Sequence, residues 1–188
     1  MGYKKEFKES IENPEMFWRK QAELIKWYEF PNTILSEDEN GFYRWFKDGK
    51  LNTSYLLLDY HIECGRGDQT ALIYDSPVTS SQHKFSFKEL LEKVAIFAGV
   101  LRDKGVEKGD RAIIYMPMIP EALVAMLACA RLGAIHSVVF GGFAPKELAI
   151  RIDDAKPKVL LTASCGIEFS KVIEYKPLVD EALRISKF

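Results

Sequence analysis

The sequence predicts an α/β fold: a helical amino-terminal cap followed by an incomplete doubly wound (βαβαβ) parallel sheet. Three observations lead there. Between residues 111 and 163, three short β-type runs alternate with two helix-type runs through short connections, the pattern of a parallel sheet with crossover helices. The runs RAIIYMP, IHSVVFGG and KVLLTA are apolar almost throughout, as strands covered on both faces are. Far upstream, residues 13–30 carry an amphipathic pattern opened by Asn13 and Pro14, a recognisable helix start.

Met16, Phe17, Ala22, Leu24, Ile25 and Tyr28 supply the apolar positions of that first helix. In FYRWFKDGKLN the aromatics alternate up to Asp48-Gly49, which predicts a short hairpin. Leu51, Tyr55, Leu58 and Ile62 then recur at helical spacing. Residues 70–87 predict two strands around a Pro/Ser-rich loop. From Phe87 the period becomes helical, with Leu90, Leu91, Val94, Ala98 and Leu101 on one face until Gly105. Helices over 121–133 and 145–155 connect the three parallel strands, and right-handed crossovers place both on one face of the sheet. A last helix is expected from Pro177 to Ser186. Three strands leave an edge uncovered, which marks an incomplete domain. That edge suits self-association or pairing with a complementary chain.

Composition narrows the function classes. With 188 residues, 47% hydrophobic and 28% charged, the chain reads as an ordinary soluble globular protein. Its 26 basic and 27 acidic residues are well mixed, so no basic stripe supports nucleic-acid binding. Cys64, Cys129 and Cys165 are odd in number and far apart, which predicts reduced thiols rather than a disulfide framework or a zinc site. The polar start MGYKKEFKESIENPE lacks the apolar core of a secretory leader. The longest apolar run, Ala122 to Ala130, is too short to span a bilayer. A cytoplasmic location is expected.

Few motifs carry chemistry. Gly65-Arg66-Gly67-Asp68 lacks the third glycine of a dinucleotide fingerprint and precedes a strand instead of following one. It is read as a turn. His61-Ile62-Glu63-Cys64 has no P-C-x-x-C partner to complete a metal set, so no metal site is expected. Cys165 follows the third parallel strand, but Lys171 is its only close cation. The segment SVVFGGFAPKE is more informative, because it places Gly141 and Gly142 at the carboxyl end of a parallel strand. Open α/β sheets bind their ligands on that edge. Phe140 and Phe143 flank the pair, and Pro145 opens the next helix. Two readings stand side by side: a backbone-open ligand wall, or a tight turn with phenylalanines in the core.

The stretch DRAIIYMPMIPEALVAMLACARLGAIHSVVFGGFAPKELAIRIDDAKPKVLLTAS resembles the AMP-forming short-chain acyl-CoA synthetases, the acetyl- and propionyl-CoA synthetases of the adenylate-forming enzymes. FWRKQAELIKWYEFP, FKDGKLNTSYLLLDYH, GRGDQTALIYDSP and SFKELLEKVAIFAGVLRDKGVEKGDR extend the likeness upstream, to about residue 10. The resemblance implies an amino-terminal cap over 1–68 and the opening portion of the AMP-binding large domain over 69–188. It implies a ligase that joins a short carboxylate to CoA at the expense of ATP, by way of an acyl-adenylate. CoA and ATP/AMP with Mg would serve the whole enzyme, and at most CoA would contact this portion. By the same resemblance, Phe140, Gly141, Gly142 and Phe143 line the CoA channel. Glu168, Phe169, Ser170 and Lys171 stand at the basic patch for the CoA nucleotide, with Glu168 where acetate-activating relatives tend to carry a cation. The pattern SCGIEFSKVIEYKPLVDEAL is closer to the propionyl branch. The phosphate loop for ATP, the ribose-binding Asp, the acyl pocket and the adenylation Lys lie further along in the family. No catalytic residue is therefore assigned here, and the chain alone is expected to be inactive. The alternative is a non-catalytic module that pairs with a partner chain or binds CoA only.

Overall fold

A computed structural model describes residues 2–142, 144–168 and 171–188. The chain forms two compact units, Met1–Asn52 and Thr53–Phe188.

The first unit is held by aromatics rather than by regular structure. Helices α1 (Tyr3–Glu12) and α2 (Pro14–Ala22) open it, Pro14 taking the first helical position as predicted. The second helix stops at Ala22 instead of continuing to residue 30. The indole N–H of Trp27 donates to the Ala22 carbonyl at 2.8 Å, folding the chain back over the helix end. Strands β1 (Leu35–Glu37) and β2 (Tyr43–Trp45) form an antiparallel pair. The expected hairpin is thus displaced: the partner of Tyr43–Trp45 lies before it. Asp48 is drawn the other way, its carboxylate accepting from the Asn32 and Thr33 N–H groups at 3.1 and 3.0 Å.

The second unit begins with a helical stretch over 53–66 whose turns widen at Tyr55–Asp59 and Ile62–Arg66. Arg131 clamps its Asp59 through two hydrogen bonds of 2.8 and 3.0 Å. The antiparallel pair β3 (Thr70–Ser76) and β4 (Ser81–Ser86) follows, as expected. Ser86 then starts α3 (Phe87–Asp103) with a reciprocal capping box to Glu89.

The parallel sheet consists of β5 (Arg111–Met116), β6 (Ile135–Phe140) and β7 (Val159–Thr162), linked by α4 (Pro120–Leu132) and α5 (Pro145–Ala155). Its order is β6-β5-β7, so the first strand is central. This order overturns the expectation that α4 and α5 share a face. The chain steps outward from β5 to β6, then back past β5 to β7. Two right-handed crossovers in opposite directions must use opposite faces. The core shows it directly. Ala112 and Ile114 of β5 pack with α3 and α4, while Ile113 and Tyr115 pack with α5 and with α6 (Tyr175–Ile185). A hairpin of β8 (Cys165–Glu168) and β9 (Lys171–Glu174) precedes α6, where no strands were expected.

Asp153 of α5 ties down the residues after α6. Its carboxylate accepts from the Ser186 hydroxyl at 2.6 Å and from the Lys187 and Phe188 N–H groups at 2.7 and 3.1 Å. The Ser186 bond first, then that of Lys187, holds its pKa below the ordinary 3.8. A depressed carboxylate stabilises above its unfolded pKa and loses that contribution as pH falls through the folded value. Amide exchange at Lys187 and Phe188 should therefore stay slow from neutral pH to about pH 4, then quicken relative to intrinsic rates below it. Unchanged protection down to about pH 2 would contradict this.

Among the described residues no helix is long and apolar enough to cross a membrane.

Candidate functional site

Three elements meet at the carboxyl edge of the parallel sheet. Strand β6 ends at Phe140 and delivers Gly141 and Gly142 into a turn. The β8–β9 hairpin rises from the end of β7. Helix α6 begins immediately after, at Tyr175. Alternation along β5 puts Tyr115, fully buried, under this junction, its ring centroid 5.0 Å from that of Tyr175. Burial first, and then the neighbouring Tyr175, push the Tyr115 phenol pKa up, so it stays neutral and serves as packing.

The two glycines do different things. Gly141 is buried and Gly142 exposed. A Cβ built on Gly141 would lie 2.2 Å from the Tyr175 hydroxyl, 2.9 Å from its Cζ and 3.2 Å from the Met116 carbonyl oxygen. Gly141 has no left-handed φ, so it is required for space. The space belongs to a tyrosine, and of the two glycines only Gly142 is exposed. Gly166 in β8 is likewise buried, and its Cβ would stand 2.7 Å from the same hydroxyl.

Of the residues the sequence singled out, Gly141 and Gly142 share this edge with the hairpin that carries Glu168 and Lys171. Glu168 and Lys171 are backbone register partners in the hairpin ladder, and Lys171 is exposed. Phe143, Phe169 and Ser170 lie outside the described residues. Helix α5 starts at Pro145 behind Ala144, which provides no side-chain cap, and Glu147 in its first turn pairs with Arg151 at 3.5 Å. Tyr175 is the residue that sequence reasoning missed. The helix expected from Pro177 begins after it, and nothing in hydrophobic periodicity marks a ring that touches two glycines.

The weaker candidates scatter. His61 lies 4.5 Å, ring to ring, from Phe87, with its pKa lowered by burial and then by Arg66. Glu63 accepts from the Tyr55 hydroxyl at 2.8 Å, and His83 stacks on Tyr74. Cys64, Cys129 and Cys165 are all free thiols. No three His, Cys, Asp or Glu among the described residues group as metal ligands. An open groove of about 490 Å³, lined by Glu12, Asn13, Pro14, Glu15, Met16 and Arg19, lies in the first unit and contains none of the candidate residues.

Comparison with known proteins gives this edge its context. The sequence profile of the AMP-binding enzymes matches residues 62–186. The chain belongs to that family. Residues 3–57 match a second profile, the acetyl-coenzyme A synthetase N-terminus. An uncharacterized protein of Pseudomonas aeruginosa is 61% identical over 186 residues, covering 99% of this chain and 30% of that protein. The human mitochondrial acyl-CoA synthetase short-chain family member 3 is 54% identical over 185 residues, covering 98% of this chain and 27% of the relative. Among solved structures, acetoacetyl-CoA synthetase from Streptomyces lividans superposes with a TM-score of 0.88 at 27% identity, covering 98% of this chain and 28% of that one. The chain thus spans between a quarter and a third of the length of these relatives. It corresponds to the amino-terminal part of a synthetase of this family, and the α/β architecture read from the sequence is that of the family.

Proposed function

We propose that the chain is the amino-terminal portion of an ATP-dependent, AMP-forming acyl-CoA ligase acting on a short carboxylate, propionate in preference to acetate. The observation that carries this reading is the unbroken succession of the two profile matches, 3–57 and 62–186, along one chain. In the whole reaction a carboxylate oxygen attacks the α-phosphorus of ATP and pyrophosphate leaves. The CoA thiolate then attacks the acyl carbon and AMP leaves.

This portion contributes to the second step by binding. Gly142 presents exposed backbone to CoA, within the sequence Phe140-Gly141-Gly142-Phe143 that the resemblance assigns to the channel. Lys171 supplies a cation at the nucleotide end, following Phe169 and Ser170 in the sequence. Glu168 weakens phosphate attraction there by like-charge repulsion. The buried Gly141 supports the wall from behind. We assign no proton abstraction and no stabilisation of the adenylation charge to the described residues, and on this reading the isolated chain does not turn over. A reducing, cytoplasmic setting suits the odd number and wide spacing of Cys64, Cys129 and Cys165 in the sequence.

A chimera tests the reading: this chain replaces the matching segment of the human relative. The isolated chain should give no ATP–pyrophosphate exchange with propionate or acetate, and the chimera should give exchange and acyl-CoA. A folded but inert chimera sinks the assignment, and exchange by the isolated chain sinks the claim that it is incompetent alone.

A second reading has its own observation. Strand β6 lies at an edge of the β6-β5-β7 sheet, with β5 as its neighbour on one side, and such an edge suits a strand from a complementary chain or a second copy.

A further inference from the structure

We propose that Tyr175 is the positioning residue that makes the Gly141–Gly142 turn and the β8–β9 hairpin into one site. Its phenol acts as a strut that sets the distance between them, and this role rests on the reading of that edge as a CoA wall. Two close approaches converge on its hydroxyl. Virtual methyl groups on two glycines 25 positions apart in sequence meet the same hydroxyl, at 2.2 Å from Gly141 and 2.7 Å from Gly166. Neither glycine has a left-handed φ, so both are glycine because the Tyr175 ring end lies between them.

The strut is anchored at its base as well as at its tip. Tyr175 is 5% exposed and packs in one cluster with Tyr115, Val139, Leu148 and Val179. Its backbone N–H donates to the Ser164 carbonyl at 3.0 Å, just before β8. A planar ring on two torsions cannot shorten, so the turn and the hairpin cannot approach one another while it is in place. Sites hold their geometry when such supporting side chains are locked by packing. The position is therefore specific to an aromatic ring.

The test uses the chain itself in two arms. In the first, Gly141→Ala and Gly166→Ala are melted alone and combined with Tyr175→Leu or Tyr175→Phe. Each alanine should lower Tm by about 3–9 °C. The loss should shrink by at least about half beside Tyr175→Leu and by less beside Tyr175→Phe, because coupled neighbours are non-additive. Strictly additive losses overturn the strut. If the leucine background fails to fold, the phenylalanine background decides for Gly166→Ala, since it removes the nearest atom. In the second arm, CoA is titrated while the Gly142 and Lys171 amide resonances are followed. Tyr175→Leu should weaken CoA by at least about fivefold while Tyr175→Phe, which keeps the ring, stays within about twofold. Equal affinity for wild type and Tyr175→Leu overturns the positioning role. Absence of any CoA response in the wild type overturns the CoA reading of the edge, a failure distinct from loss of coupling in the first arm.

Discussion

Ile113→Ala is expected to lower the stability of the second unit by about 2–5 kcal/mol, seen as a fall in Tm of about 6–15 °C. Ile113 is fully buried on the central strand and faces α5 and α6 in the cluster that contains Leu148 and Ile152. Neighbours on a strand paired on both sides cannot collapse into the space, because β6 and β7 hold it in register. The lost transfer energy and the cavity therefore both count. Ile135→Ala removes the same atoms from the edge strand, where the side chain is 57% exposed. It should cost no more than about 0.5 kcal/mol. Thermal melts of the two variants side by side measure the contrast, and similar losses would mean that β5 is not the buried centre.

Ala125→Leu is expected to be the most damaging enlargement on α4, costing about 1–3 kcal/mol or about 3–9 °C in Tm. Ala125 is fully buried against Ile114, with Ala122 beside it, so the helix lies on the sheet through methyl groups. A leucine there must displace the helix or leave its rotamer. Gly99→Ala on α3 should act in the opposite direction. A Cβ at Gly99 meets nothing within 4 Å, and alanine in a helix interior gains about 0.5–1 kcal/mol over glycine. Denaturant midpoints for both variants check the pair, and a stabilising Ala125→Leu would refute the close approach of α4.

What the sequence made legible depended on the range of the interaction concerned. Periodicity located α3, α4, α5 and the three parallel strands because burial acts on every second or every third to fourth residue. It failed where a single distant contact decided. The Trp27 indole on the Ala22 carbonyl ended α2 early, and Asp48 bonding to Asn32 and Thr33 moved the hairpin. The faces taken by α4 and α5 followed from strand order, which no local pattern encodes. The same holds for the candidate site. Gly141-Gly142 stands out because of its place after a strand, and the family resemblance implies a CoA contact there. That Gly141 answers to Tyr175, 34 positions away, is a matter of close approach in space.

The strand order has a kinetic consequence. In β6-β5-β7 the first strand synthesised is the one on which both neighbours assemble. Residues 111–162 contain all three strands and both crossover helices. At ribosomal speeds of about 5–20 residues per second, that stretch is completed in about 3–10 s. Strand β5 waits as a template, β6 joins after one crossover and β7 after the next, each adding on a free side. This order lets the three-stranded sheet grow outward from its middle, with none of its three strands threaded between strands already paired.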